Sequence, residues 1–368
     1  MDRLSNWNTD PIRWWARVGA SSIRCELCPH HCTLHEGETG RCGVRRCGRG
    51  SSGLQMEIPT RNQISSLCVD PMEKKPLFHF YPGESILSVG GTGCNLSCSF
   101  CQNWQISKIS PQNTNPHRVQ NCPADRIAEI AIQSNCRHVA LTYNEPIVRA
   151  EYGMEVAHVC RSRGLRTVAV TNGSIDISAR ADFFREIDAA NVDLKSIRDS
   201  FYRQYCGASL EPVLETLRYL VRETEIWLEI TNLIIPQAND DADELRQLST
   251  WIVEELGPEI PVHFSAFRPM YLLTDRPPTP PETLERAYEI ATQAGLQYVY
   301  TGNIFLPDSE RTQCPQCGDT LIERRGFTLK RNRLQGDFCP HCHHRIAGRF
   351  RPSPTNDTVT DRTSSGRK

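Results

Sequence analysis

No apolar run in this chain approaches the ~18 residues of a membrane-spanning helix, so no span is expected. An excess of charge of one sign is missing too. The chain has 42 Lys and Arg against 43 Asp and Glu, a net charge of −1 and a pI near 6.8. Without a chain-wide basic field, nonspecific attraction to nucleic acid is not favoured. The first residues carry Trp7, Trp14 and Trp15 among early charges and no continuous apolar stretch, so a secretion signal is not expected either. These absences together predict a soluble, cytoplasmic protein.

Cysteine is what the chain has in quantity, 17 in 368 residues. Disulfides seldom persist in the cytosol, where clustered thiols usually mean metal. Three groups stand out: Cys25, Cys28, Cys32 and Cys42; Cys94, Cys98 and Cys101; and Cys314, Cys317, Cys339 and Cys342. The scattered Cys47, Cys68, Cys122, Cys136, Cys160 and Cys206 read as small buried apolar residues.

The middle group has the spacing C-x3-C-x2-C, three thiolates from one loop and no fourth. Structural zinc and simple electron-transfer clusters normally close all four positions. Three ligands instead point to an iron–sulfur cube with one iron open to a ligand. The loop follows an apolar run with Ile86, Leu87 and Val89, and Gly90, Gly91 and Gly93 let the backbone turn and approach a bulky group. Phe100 is placed to shield such a group from water. A dinucleotide-binding fingerprint would require glycine where Leu96 stands, so that reading is rejected.

From Ile86 onward, strands alternate with amphipathic helices. Strands are predicted at 86–90, 138–143, 166–171, 190–194, 226–232, 261–265 and 297–301, and helices at 124–135, 147–163, 178–187, 211–222, 240–256 and 280–294. Repeated βα units predict an α/β fold, a partial or full (βα) barrel with a parallel sheet and catalytic groups at the carboxyl ends of its strands. Small cysteine-rich metal-binding modules flank it. The expected divisions are a head at 1–50, a lead-in at 51–85 with one hairpin, the barrel at 86–305, a zinc-ribbon-like module at 306–350 and a disordered tail at 351–368.

Several later strand ends offer polar groups to the cysteine loop. Asn144 suits a helix cap and Pro146 a first turn, which would aim Glu145 into the barrel mouth, although Glu145 also suits a helix dipole. Thr171-Asn172-Gly173 ends the third strand. Asp193 and Lys195, two apart on the fourth, share a face. They form either a plain ion pair or a matched cradle for a zwitterion. His263 and Asn303 also fall at the mouth and read as satisfied structural groups.

In this order and on βα units, the cysteine loop, Glu145, the Asn172 turn and the Asp193-x-Lys195 strand resemble the radical SAM superfamily, and within it the activating enzymes of glycyl-radical enzymes. The chain is more similar still to the radical SAM member of the AmmeMemoRadiSam three-protein system, over Cys25 to Cys32, Asp70 to Pro76, Gly91 to Trp104, Thr142 to Pro146, Asn191 to Lys195 and Tyr300 to Asn303. The resemblance implies that Cys94, Cys98 and Cys101 ligate a [4Fe–4S] cluster whose open iron is chelated by S-adenosylmethionine. Glu145 would bind the methionine amino group, and Asn172, Asp193 and Lys195 the rest of the methionine and the ribose. Reductive cleavage would yield a 5′-deoxyadenosyl radical for hydrogen abstraction. It further implies a low-potential electron donor of flavodoxin or ferredoxin type, and Memo-like and AMMECR-like partner proteins. Many superfamily members have Gly-Gly-Glu where this chain has Tyr143-Asn144-Glu145, which keeps the carboxylate and alters the approach to it.

The outer cysteine groups read as metal sites. Cys314, Cys317, Cys339 and Cys342 form paired C-x2-C motifs suited to structural zinc, with a rubredoxin-like iron as the alternative. Cys25, Cys28, Cys32 and Cys42 suit zinc slightly better than an auxiliary cluster, with His30, His31, His35 and Cys47 as spare ligands. Two rival classes are a non-catalytic iron–sulfur or electron-transfer scaffold and a zinc-ribbon nucleic-acid module. The first would require a fourth protein ligand at the central cluster, and none follows Cys101 until His117 and Cys122.

Overall fold

The computed structural model describes residues 12–108, 119–304 and 306–351. Its centre is one sheet of β1 Ser66–Pro71, β2 Ser85–Gly90, β3 His138–Leu141, β4 Arg166–Thr171, β5 Ala189–Asp193, β6 Trp227–Ile234, β7 Val262–Ala266 and β8 Val299–Gly302. The strands lie side by side in chain order. From β2 to β8 all pairs are parallel, whereas β1 runs antiparallel on β2. No ladder joins β1 to β8 among the described residues, so the barrel is partial.

Crossovers run through α1 Ala124–Gln133, α2 Ala150–Ser162, α3 Ile177–Phe184, α4 Glu211–Glu223, α5 Ala242–Glu255 and α6 Pro281–Gln293. Each lays an apolar stripe on the sheet; α1, for example, buries Ile127 and Ala131. Strands covered on both faces can be apolar throughout, as all four residues of β3 are buried. Asp176 and Asp241 cap α3 and α5 by accepting from Ser178 N and Glu244 N, both at 2.9 Å. None of the described helices is long and apolar enough to cross a membrane.

The lead-in is part of the barrel. Beyond supplying β1, it sends Met72, Leu77 and Phe80 against Ile86, Ala140, Val168, Ala189 and Trp227 inside it. A buried carboxylate fixes this plug. Glu229 accepts from Phe78 N at 2.9 Å, His79 N at 2.8 Å, Trp227 Nε1 at 2.9 Å and His263 Nε2 at 2.7 Å. Burial alone would raise this carboxyl, yet the hydrogen bond and charge of His263 bring it below the usual carboxylate range. His79 is pushed down to about 4 by burial and bridges Ala347 O and the Tyr300 hydroxyl, both at 2.6 Å.

The head is a three-stranded antiparallel sheet, Trp15–Val18, Ser22–Cys25 and Thr33–His35. The hairpin Arg46–Gly50 with Gly53–Glu57 follows, and it runs across the division expected at residue 50. The C-terminal ribbon pairs Thr312–Gln313, Thr320–Arg325 and Thr328–Asn332. Its core is shared with the barrel: Leu321 and Ile322 pack with Phe78, Tyr298 and Tyr300. Arg324 donates to Phe78 O at 2.6 Å and lies 3.5 Å from Glu73. The tail from residue 352 lies outside the described residues, and Arg351 pairs with Glu84.

Glu229→Ala would strand four donors in a buried site. Breaking a buried charged pair costs about 3–5 kcal/mol, so its thermal midpoint by circular dichroism is expected to fall by roughly 10 °C. An unchanged midpoint would contradict the latch.

Candidate active site at the barrel mouth

The carboxyl ends of the strands surround a cavity of about 560 Å³. Cys94, Cys98, Cys101, Glu145, Asn172, Asp193 and Lys195 all line it. Among the described residues no fourth cysteine does. His117 lies outside the described residues, and Cys122 is buried elsewhere with its carbonyl accepting from Tyr152.

The cysteine loop leaves β2 between close neighbours. A Cβ on Gly91 would fall 1.4 Å from Arg149 Nη2, and one on Gly93 would fall 2.3 Å from Val44 and 2.5 Å from Cys42 O. On the side a Cβ would take, the space at these glycines is filled by Arg149 and the head. Gly93 also has φ +87°, which side chains rarely adopt. Cys94 N donates to Cys42 O at 3.2 Å, fastening loop to head.

Glu145 is buried and fully oriented. Oε1 accepts from Thr171 Oγ1 at 2.6 Å and Ile147 N at 3.1 Å, and Oε2 from Asn172 N at 2.8 Å. Three of its ~four acceptor positions are filled, which leaves about one for a ligand. Burial pushes this carboxyl up to about 7, against those donors. The cap of the turn Pro146–Arg149 is Glu145 itself, because its side chain reaches the N–H two residues on. Asn144, expected to be the cap, faces the cysteine loop instead, accepting from Gly91 N at 2.7 Å and donating to Gly93 O at 3.0 Å.

Asn172 joins three parts of the mouth. Its backbone N–H holds Glu145, and its Nδ2 donates to Asn95 Oδ1 at 2.9 Å and lies 3.7 Å from Cys94 Sγ. Lys195 Nζ pairs with Asp193 Oδ2 at 2.9 Å; β5 stops at Asp193, so the matched charges meet just past the strand end and not along one strand face. Burial opposes the lysine charge, but Asp193, Cys98 and Cys206 together raise its pKa well above the usual value. Tyr143 sits at φ +69° and donates to Asp70 Oδ2 at 2.5 Å, beside Lys75. His263 lines the lower wall with its Nε2 on Glu229, as a satisfied structural group does.

Cys206 is the neighbour that spacing could not reveal. It is buried, does not line the cavity, and hydrogen-bonds Cys98 from behind, which lowers the Cys98 pKa despite burial. Burial raises Cys94 and Cys101 instead.

The outer cysteine groups differ from each other. In the ribbon, Cys314 and Cys342 sulfurs stand 3.5 Å apart and those of Cys317 and Cys339 3.7 Å apart, and all four lie within 4.8 Å. Cys25, Cys28, Cys32 and Cys42 line a cavity between head and barrel.

Residues 88–248 match the Radical SAM superfamily. The chain belongs to this superfamily, a class of enzymes whose membership implies a [4Fe–4S] cluster and S-adenosylmethionine. It is 42% identical over 317 residues to the uncharacterized protein MJ0808 of Methanocaldococcus jannaschii, covering 86% of this chain and 92% of that one. It is 25% identical over 175 residues to the pyruvate formate-lyase 1-activating enzyme of Escherichia coli, covering 44% of this chain and 70% of that one. Among solved structures, a radical SAM methyltransferase from Sphaerobacter thermophilus aligns with 80% of this chain and 77% of its own, at 16% identity and a TM-score of 0.48. The residues present fit the implied pair. Three thiols share a cavity with a carboxylate that keeps an open acceptor position, and with an adjacent anion and cation.

If Glu145 receives a ligand ammonium, protonation below its pKa of about 7 removes the acceptor charge. S-adenosylmethionine binding is then expected to weaken by up to about tenfold per unit as pH falls below 7, and Glu145→Gln to flatten that profile. Calorimetry across pH 6–8 on anaerobic protein checks this; a flat wild-type profile contradicts it.

Proposed function

We propose that this chain cleaves S-adenosylmethionine reductively at a cluster held by Cys94, Cys98 and Cys101, acting on a substrate within an AmmeMemoRadiSam-type system. One observation carries the reading: three thiols from one loop, with no fourth cysteine among the described residues, line the cavity that Glu145, Asn172, Asp193 and Lys195 also line. Cys94, Cys98 and Cys101 would hold the cluster, which would supply one electron from an external donor for reductive cleavage of the sulfonium C–S bond.

The protein's own residues bind, orient and exclude water. Glu145 offers its open acceptor position to the methionine ammonium. Lys195 and Asp193 offer opposite charges to the carboxylate and ribose, and Asn172 fixes Glu145 relative to the loop. Phe100, buried beside the thiols with Lys195 Nζ 5.9 Å from its ring, keeps water from that wall. Beyond these groups the cavity continues to Thr231, Ser265 and Thr301, hydroxyl-bearing residues suited to a polar substrate.

Memo-like and AMMECR-like proteins are the proposed partners, with a flavodoxin or ferredoxin as electron donor. The similarity to activating enzymes supports a second reading, in which a partner protein receives a glycyl radical. A glycine-centred electron-spin signal on a partner would favour that second reading. In the ribbon, sulfur separations of 3.5 and 3.7 Å fit the ~3.8 Å edge of a tetrahedron with Zn–S near 2.3 Å, so Cys314, Cys317, Cys339 and Cys342 are assigned one zinc.

Anaerobically reconstituted protein with a low-potential reductant is expected to release 5′-deoxyadenosine, and Cys98→Ala to lose both cluster iron and cleavage. A Cys98→Ala protein equal to wild type in both would overturn the assignment. Cys206→Ala removes only a hydrogen bond to a ligand sulfur. It is expected to retain the iron and shift the cluster potential in the negative direction; loss of iron would instead mark Cys206 as a ligand.

A further inference from the structure

The segment Asp70 to Pro76 has no part in the cleavage proposed above, yet Glu73, Lys74, Lys75 and Pro76 line the cavity that holds the three thiols. A short turn, Met72–Lys74, follows β1, and the two lysines meet on one carboxylate. Lys74 Nζ donates to Asp70 Oδ1 and Lys75 Nζ to Asp70 Oδ2, both at 2.8 Å. The Tyr143 hydroxyl donates to the same Oδ2 at 2.5 Å, and Lys75 Nζ lies 4.6 Å from the centre of the Tyr143 ring. Burial opposes the charge of Asp70, but these donors hold its carboxyl well below the usual range, so it stays ionised.

Two ammonium groups thus share one carboxylate, which leaves one positive charge unmatched. The other charges at the cavity are matched or already assigned. Glu73 lies 3.5 Å from Arg324, Lys195 pairs with Asp193, His263 sits on Glu229, and Glu145 is offered to the methionine ammonium. Lys74 is 43% exposed and takes water, whereas Lys75, at 2%, is almost closed to it. An ammonium has three protons to donate. Among the described residues, Asp70 Oδ2 is the one hydrogen-bond acceptor that Lys75 meets. Burial outweighs that pairing and holds Lys75 below the usual lysine value, the mark of a cation short of a partner.

We propose that Lys75, with Lys74 beside it, receives a carboxylate of the substrate, and that the substrate is a small organic monoanion. The inference rests on the cleavage reading, because it seats the substrate in the same cavity as the nucleotide. One unmatched positive charge suits a carboxylate, whereas a phosphomonoester carries about −1.5 to −2 and would exceed it. Phe78, Tyr143 and His263 line the cavity with the lysines and offer ring faces to the body of such a molecule. The cavity then has two carboxylate receivers, Lys195 for the nucleotide and Lys75 for the substrate.

The test uses the full chain, reconstituted anaerobically, with S-adenosylmethionine present so that Lys195 is engaged. Benzoate, benzamide and phenyl phosphate are the probes, followed by saturation-transfer NMR. Benzoate is expected to bind about tenfold more tightly than benzamide, the worth of one charge-assisted hydrogen bond, and more tightly than phenyl phosphate. Lys75→Met is expected to lose the preference for benzoate over benzamide while its affinity for S-adenosylmethionine, measured by calorimetry, does not move. If that variant does not fold, the wild-type ranking and Lys74→Met decide, the latter narrowing the preference without abolishing it. Equal binding of benzoate and benzamide, tighter binding of phenyl phosphate, or a preference that survives Lys75→Met overturns the proposal. So does a Lys75→Met protein that loses the nucleotide instead. If wild type fails to bind S-adenosylmethionine yet keeps a Lys75-dependent preference for benzoate, this site stands and the proposed cleavage is refuted.

Discussion

A carboxylate buried at the mouth of a barrel must find donors, and Glu145 finds them on two sides. Ile147 N belongs to its own turn, while Thr171 Oγ1 and Asn172 N belong to the end of β4. Asn172 then reaches Asn95 and comes near Cys94 Sγ in the loop after β2. One network thus ties three strand ends together and fixes a thiol, a carboxylate and an amide relative to one another. The links between strand ends span 26 to 78 residues of sequence, so the arrangement exists only when the parallel register of the sheet is correct.

Around this network the peripheral modules are built into the barrel. The loop is clamped to the head through Gly93 and Cys42, with no room for a side chain between them. The lead-in fills the barrel floor and is latched by Glu229, while the ribbon packs its apolar residues on Phe78, Tyr298 and Tyr300. Neither small module has much core of its own, so packing shared with the barrel supplies what apolar burial within the module would not. The Arg45–Glu151 pair, buried at 2.9 Å, does the same between head and α2.

Most of the barrel was legible because strands covered on both faces show as apolar runs, and helices show period-3.6 stripes. The six expected helices and seven expected strands appear within a few residues of their predicted bounds. β1 was hidden because Leu67 and Val69 point outward, 39% and 47% exposed, and prolines break the pattern around it. The mouth residues were readable as motifs at strand ends, yet their mutual bonding was not. Glu145 lines the mouth as expected and also takes the cap expected of Asn144, because a glutamate at that backbone angle reaches the N–H two residues on. Cys206 looked like any buried thiol, since only folding brings it behind Cys98. The Glu229 latch left little local signal, three of its four donors coming from the lead-in and β7.

The central claim is that a thiol-bound cube at Cys94, Cys98 and Cys101 keeps one iron for a nucleotide that Glu145, Asp193 and Lys195 orient. Electron–nuclear double resonance on the reduced protein, with S-adenosylmethionine carrying ¹⁵N in its amino group and ¹⁷O in its carboxylate, tests it most directly. The account predicts hyperfine coupling of both labels to the cluster. A reduced cluster that shows neither coupling with the nucleotide present at saturation would contradict it.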